Sequence, residues 1–266
     1  MKVTAISSKP FLPPKDDLSA RLDEALESAG WRIPERCVVA VSSKVVAIGE
    51  GRCIPRPEGV DPVEFKDKLV LEEADRYVLH AEDSPYRRFT IIKQGSLIGN
   101  AGIDESNGNG YFILWPQDPM RSAREIRTHL MQRHGVTELG IIITDSTSTP
   151  LRNGVTGMTI GYAGFHALYD YRETPDIFGR LLKFERLNIA DSLATAATLV
   201  MGEGNECTPF VLIEDVPHIV FTETESADPL LSLTIPMADD LFAPFIQHAP
   251  WRVGGKKQET TDDGKI

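Results

Sequence analysis

Apolar residues recur at helical spacing in DDLSARLDEALESAG, where Leu18, Leu22, Ala25, Leu26 and Ala29 share one face and Gly30 supplies a stop. Ahead of it, residues 3–6 read as a short strand and a proline-punctuated loop runs on to Pro14. The run CVVAVSSKVVAIGEGR is apolar and β-branched, and predicts a buried strand giving way to a turn at Gly49, Glu50 and Gly51. Helical period returns in VEFKDKLVLEEADRYVL, FTIIKQGSLIG reads as a strand pair, and NAGIDESNGNG as a polar, glycine-rich loop. A further helix is expected to begin at Ser122, with Ser122 and Glu125 as a capping box, Ile126 and Leu130 as its apolar face and Gly135 as its end. ELGIIITDS is the clearest strand, an apolar run that delivers polar residues at its end. PLRNGVTGMTIGYAGF reads as irregular, LNIADSLATAATLVMGEG as a helix with Leu193, Ala197 and Met201 on one side, and FVLIEDVPHIVF as two strands turning at Pro217. Strands and helices do not alternate strictly, so the pattern predicts a mixed α+β fold with flanking helices rather than a doubly wound sheet. No repeat or linker composition divides the chain. One domain is expected over residues 1–253, followed by a tail, 254–266, whose composition is that of a disordered segment.

Composition narrows the function. With 41% hydrophobic and 25% charged residues the chain reads as an ordinary globular protein. Its formal net charge of −11 disfavours general binding to nucleic acid, while a local basic or metal-bearing pocket still admits an anionic small substrate. No apolar stretch approaches the roughly 20 residues of a membrane helix, so no membrane partner is expected. Cys37, Cys53 and Cys207 are too scattered for a disulfide framework or a zinc site, and point to a reducing, cytoplasmic setting.

Two acidic loops carry candidate chemistry: one around Asp104, Glu105, Ser106 and Asn107, the other Thr144, Asp145 and Ser146 at the end of the IIIT strand. Magnesium and manganese take one or two carboxylates and complete their shells with water and phosphate oxygens, so Asp104 and Asp145 suffice as a pair. Each loop alone reads equally well as a turn or helix cap. Residues 201–209, MGEGNECTP, can cradle phosphate through glycine-exposed N–H groups, or simply end a helix at Gly202 or Gly204. Neither a Walker A sequence nor a G-x-G-x-x-G fingerprint is present. Lys44, Arg52, Arg152, Arg172 and Arg180 are candidate anion holders. Arg152 follows the Asp145 loop closely and joins the two aspartates as a candidate catalytic group, whereas Arg172 and Arg180 flank Asp176 and equally suit a structural ion pair. The six histidines show no metal spacing, and His129 and His134, near a helix end, are expected to be exposed.

The blocks SSKVVAIGEGR, NAGIDESN, ITDS with PLR behind it, IGYAGFHALYDYRETPDIFGR and ADSLATAATLVMGE stand in the order seen in coenzyme F420-0:glutamate ligases. The chain resembles that family from about Phe11 to Pro217. The resemblance implies a purine nucleotide, GTP or ATP, acting with Mn²⁺ or Mg²⁺ to activate an acceptor carboxylate as an acyl phosphate, which the amine of L-glutamate then attacks. It also implies Asp104, Asp145 and Ser146 as metal ligands. Pro10, Phe11, Leu12, Pro13, Ser43, Lys44 and Asn107, with Met201, Gly202, Glu203, Gly204 and the rest of that loop to Thr208, would contact the nucleotide. The family fold is an α+β architecture that forms an intertwined homodimer with active sites near the dimer interface. NGNGYFILWP and DSTSTPLRNGVTG resemble a bacterial branch associated with folate γ-glutamylation, so the implied acceptor is coenzyme F420-0 or folate. The chain departs from the family pattern at Ile48, where lysine is usual, at Ser148, Thr149 and Pro150, where Gly-Arg-Pro is usual, and in its FLPP loop. Ile48 and Thr149 also support a second reading, a homologue that binds nucleotide and has lost the chemistry.

Overall fold

A computed structural model of the chain describes residues 1–80, 90–224 and 228–255. In chain order the elements are β1 (Lys2–Ile6), α1 (Leu18–Ser28), β2 (Cys37–Ser42), α2 (Ser43–Glu50), β3 (Cys53–Pro55), α3 (Pro62–Glu73), β4 (Arg76–Val78), β5 (Thr90–Lys93) and β6 (Ser96–Gly99). They continue with β7 (Tyr111–Ile113), α4 (Pro119–His134), β8 (Leu139–Thr147), β9 (Thr156–Ala163), β10 (Leu168–Asp170), β11 (Arg186–Asn188), α5 (Ile189–Met201), β12 (Phe210–Glu214), α6 (Ala243–Ile246) and β13 (Arg252–Val253). The fold is α+β, with helices on mixed sheets, as expected. The chain forms two compact units, residues 1–54 with 105–233, and residues 55–104 with those from 234 onward.

The first unit is built on a five-stranded sheet of order β1-β12-β2-β8-β9. Its neighbours pair antiparallel except β2 and β8, which run parallel from Cys37 opposite Leu139 to Ser42 opposite Thr144. Successive side chains of a strand face opposite sides, and here both sides are covered, which is why β2 reads as an unbroken apolar run. Cys37, Val39 and Val41 pack with Ile141 and Ile143 against α1, α2 and α4. Val38 and Ala40 pack with Ile142 against α5 through Leu193, Ala194 and Ala197. Helix α1 buries Leu22, Ala25 and Leu26, and starts where the Asp17 carboxylate accepts the Ala20 N–H at 3.0 Å. Burial pushes the Cys37 thiol up to about 12, so this cysteine behaves as a small apolar residue.

Four sequence expectations need correction. The stretch after Ser42 is helix α2 rather than strand and turn. Its residues from Val45 to Ile48 are all buried, and an apolar run hides its period when every side is covered. Helix α4 starts three residues before Ser122, capped by Asp118, whose carboxylate accepts the Arg121 N–H at 2.9 Å, with Pro119 in the first turn. Ser122 donates to Glu50 at 2.7 Å, and Glu125 pairs with Arg121, so neither residue caps the helix. The glycine-rich stretch after Arg152 contains the eight-residue strand β9. A Cβ on Gly157 would stand 2.2 Å from the Ala194 carbonyl oxygen, and one on Gly161 2.4 Å from that of Pro119, so these glycines admit the helices instead of breaking the strand. Beyond β12 only an isolated bridge, Phe165 with Phe221, follows in place of the second expected strand.

The second unit holds a four-stranded antiparallel sheet of order β13-β4-β5-β6 and helix α3, which Asp61 caps through the Val63 and Glu64 N–H groups. Lys93 buries its side chain there and lies 2.5 Å from the Glu73 carboxylate. Gly254 and Gly255, the first residues of the expected tail, donate to Asp75 and Leu71 carbonyls at 3.0 Å each, and residues 256–266 lie outside the described residues. Among the described residues no helix is long and apolar enough to cross a membrane.

Candidate active site at the ends of β2 and β8

Two parallel strands leave a sheet at the same rim. That geometry sets the C-terminal end of β2 beside that of β8, with Ser42 opposite Thr144. The next residue of each strand is polar. Ser43 opens α2 and donates its hydroxyl to Asp145 Oδ1 at 3.1 Å. The other carboxylate oxygen, Oδ2, accepts the indole N–H of Trp115 at 2.5 Å. Trp115 follows β7 and is buried. Its carbonyl accepts from Arg52 Nε at 3.0 Å, while Leu114 N–H donates to the Arg52 carbonyl at 2.9 Å. Arg52 comes directly after Gly51, the left-handed cap that ends α2. The segment after β7 and a short helix thus deliver two donors to one carboxylate.

One residue further on, Ser146 donates its hydroxyl to Glu203 at 2.5 Å. Glu203 lies in the loop after α5, where Gly202 adopts φ 74°, open to glycine for want of a Cβ, and a Cβ there would also meet the Glu206 carboxylate at 2.4 Å. The same carboxylate accepts the Gly204 N–H at 2.9 Å. Asn107, itself left-handed at φ 56°, donates its side-chain amide to the Gly204 carbonyl at 2.8 Å. Lys44 donates to Ser106, at 2.9 Å to the carbonyl and 3.1 Å to the hydroxyl. The loop is tied down further by Thr208 donating to the Met201 carbonyl at 2.8 Å and by Ser42 N–H donating to the Pro209 carbonyl at 2.9 Å. Four segments far apart in sequence therefore meet: Ser43–Lys44, Ser106–Asn107, Asp145–Ser146 and the loop from Gly202.

Phe11 is buried with its ring edge toward Phe210, at 6.0 Å between centroids, whereas Leu12 is exposed and donates its N–H to Asp16 at 3.1 Å. Pro10 is exposed and Pro13 half-buried in the same loop. Arg152 is exposed, with its N–H donating to the Thr149 carbonyl at 3.2 Å. Asp104 is half-buried and belongs to the second unit, after a single 3₁₀ turn at Asn100–Gly102. Arg172 does not pair with Asp176; it grips Asp170 at 2.6 Å and Asp228 at 2.9 Å, and its guanidinium holds the Asp170 carboxyl at about 2. Asp176 instead accepts the backbone N–H groups of Phe178 and Arg180. His129 is not free in solvent, since Asp23 lies 2.9 Å from its Nε2. Ile48 fills the core, so no charged side chain occupies the position where lysine is usual.

A family model described as F420-0:Gamma-glutamyl ligase matches residues 8–215. The chain belongs to this family. A coenzyme F420:L-glutamate ligase of Methanopyrus kandleri is 38% identical over 213 residues, which is 75% of this chain and 81% of the relative. One from Methanococcus maripaludis strain C7 is 41% identical over 197 residues, covering 70% and 79%. One from Methanothermobacter thermautotrophicus is 30% identical over 246 residues, covering 87% and 95%. The protein is accordingly an enzyme of a ligase family, and the matched span contains all four converging segments. Trp115 escaped sequence reasoning as a site residue, and Arg52, expected to hold an anion, instead donates to the Trp115 carbonyl. Their link to Asp145 spans 30 residues and more, with no local pattern to announce it.

Proposed function

We propose that this protein is a γ-glutamyl ligase that joins the amine of L-glutamate to a carboxylate of an acceptor of the coenzyme F420-0 type. A purine nucleoside triphosphate, GTP or ATP, drives the reaction together with Mn²⁺ or Mg²⁺. The observation that carries the reading is the convergence of four segments at one rim, where Asp145 meets Ser43, Ser146 meets Glu203, Lys44 meets Ser106 and Asn107 meets the Gly204 carbonyl. The names of the relatives favour coenzyme F420-0, and folate is the competing anionic acceptor.

The donor set fits a hard cation. Among the described residues no group of three or more His, Cys, Asp or Glu side chains is placed to hold a metal. Asp145, and one residue on Ser146 with its partner Glu203, are oxygen donors of the kind taken by an ion that completes its shell with water and phosphate oxygens. The family resemblance adds Asp104 to that role. A bound divalent ion would neutralise phosphate charge. Lys44 and the N–H groups of the glycine loop would orient the polyphosphate, and the rim would bring the acceptor carboxylate to the γ-phosphorus. An acceptor oxygen bonds to that phosphorus as the nucleoside diphosphate leaves. The glutamate amine then attacks the acyl carbon, inorganic phosphate departs, the nitrogen loses a proton and an amide remains.

The chain is proposed to act as a homodimer. Ile177, Phe178 and Phe184, all largely exposed beyond β10, are large apolar side chains of the kind that a second copy would bury. Light scattering at a stated concentration checks this, and a monomer throughout the assay range overturns it. The function itself is tested by mass spectrometry of coenzyme F420-0 and folate incubated in parallel with glutamate, nucleotide and Mn²⁺, each omitted in turn. One glutamate residue added to coenzyme F420-0 only in the complete mixture is the expected result. Nucleotide binding by calorimetry without product on either acceptor would make the protein a silent homologue.

A further inference from the structure

We infer that Trp115 is a positioning residue that holds the Asp145 carboxylate in its cation-binding orientation. The inference rests on the proposed metal- and nucleotide-dependent reading of the same site. A buried indole N–H needs an acceptor, and a neighbouring carbonyl would serve. Here the acceptor is the side chain at the end of β8, at 2.5 Å. Trp115 is 1% exposed and Ser43 6%, so both donors to Asp145 are held inside the packed unit rather than reaching in from solvent. Each carboxylate oxygen receives one of them, which blocks rotation about the carboxyl group. Both donors named here are neutral, so neither of them cancels the carboxylate charge that a cation would need.

The indole is aimed from behind. Arg52 Nε donates to the Trp115 carbonyl at 3.0 Å, and the Arg52 carbonyl receives the Leu114 N–H at 2.9 Å, so the stretch after β7 is clamped to the end of α2. A tryptophan N–H is a donor only; unlike water or serine it cannot reverse its role when a cation arrives. Outer-shell groups of this kind commonly alter metal affinity by about ten- to a hundred-fold when removed.

The experiment uses the intact chain without nucleotide. Trp31 and Trp251, the two other tryptophans, are replaced by phenylalanine so that Trp115 alone emits. Added Mn²⁺, paramagnetic and bound beside the indole, is expected to quench that emission in step with the loss of free Mn²⁺ measured by electron paramagnetic resonance, and excess Mg²⁺ is expected to restore it. In the otherwise native chain, W115F is expected to weaken Mn²⁺ binding by about ten- to a hundred-fold. It should leave KM for glutamate near the parental value and recover kcat at saturating Mn²⁺. Binding of Mn²⁺ by W115F as tight as the parent, or emission indifferent to bound Mn²⁺, overturns the inference while leaving the ligase reading standing. A parent that neither binds Mn²⁺ nor transfers glutamate overturns both. If W115F does not fold, the quenching experiment decides alone.

Discussion

Asp145 in the first unit and Glu73 in the second are carboxylates held in opposite ways. Glu73 lies against Lys93, an opposite charge 2.5 Å away, and the pair neutralises itself. Asp145 receives the Ser43 hydroxyl and the Trp115 indole, two neutral donors that orient it without themselves cancelling its charge. An ion pair whose side chains are only 6% and 18% exposed has exchanged hydration for mutual attraction and has become part of the scaffold. A contact from a neutral donor orients a carboxylate and leaves its charge in place. The same residue chemistry therefore reads as architecture in one unit and as a site in the other, and the partner's charge makes the difference.

The strongest way to break this contrast is D145N, which keeps the shape and removes the charge. Glutamate transfer is expected to fall by about a thousand-fold or more, several kcal/mol of transition-state stabilisation. The far-ultraviolet circular dichroism should stay that of the parent. Retained turnover would return Asp145 to the scaffold class. Next comes K93M, which leaves Glu73 without its cation. Urea unfolding is expected to show a loss of about 3 kcal/mol, largely restored by adding E73Q, while kcat per folded molecule holds. A fall in kcat with stability intact would reverse the assignment of that pair.

The same contrast explains how far the sequence could be read. Helices α1 and α5 and strand β8 were legible because each has a clear buried side or a short apolar run ending in polar residues. Helix α2 was hidden because Val45, Val46, Ala47 and Ile48 are all buried, leaving no polar phase to count. Strand β9 was hidden because Gly157 and Gly161 look like loop residues until the close approach of Ala194 and Pro119 is known. Asp145 and Ser146 were legible as a polar strand end. The partners that define their roles, Trp115 and Glu203, are 30 and 57 residues away, and only the fold brings them together.

Two smaller effects sharpen the picture. G157A is expected to destabilise the first unit by about 1–3 kcal/mol, because its Cβ would overlap the Ala194 carbonyl. A thermal melt checks this, and an unchanged midpoint would mean that α5 can withdraw from β9. His134 gives the mildest effect. Burial, its first cause, lowers its pKa below the ordinary 6.5, so the unfolded chain takes up its proton more readily than the folded one. Its contribution to stability is complete above about pH 6.5 and is lost as the pH falls through the lowered value. Urea midpoints at pH 7.5 and 5.5 should therefore differ more in the parent than in H134Q, and equal differences would discard this assignment.

The parallel pairing of β2 with β8 has one more consequence. In a purely antiparallel sheet, adjacent strands finish at opposite margins, and their outgoing segments diversify apart from one another. Here two neighbours run the same way, β2 ending opposite Thr144 and β8 at Thr147, so an insertion after either one reshapes the same mouth while leaving the ladder behind it undisturbed. A protein so arranged can exchange the molecule it modifies by redrawing short outgoing segments, without renegotiating the interior on which its stability depends.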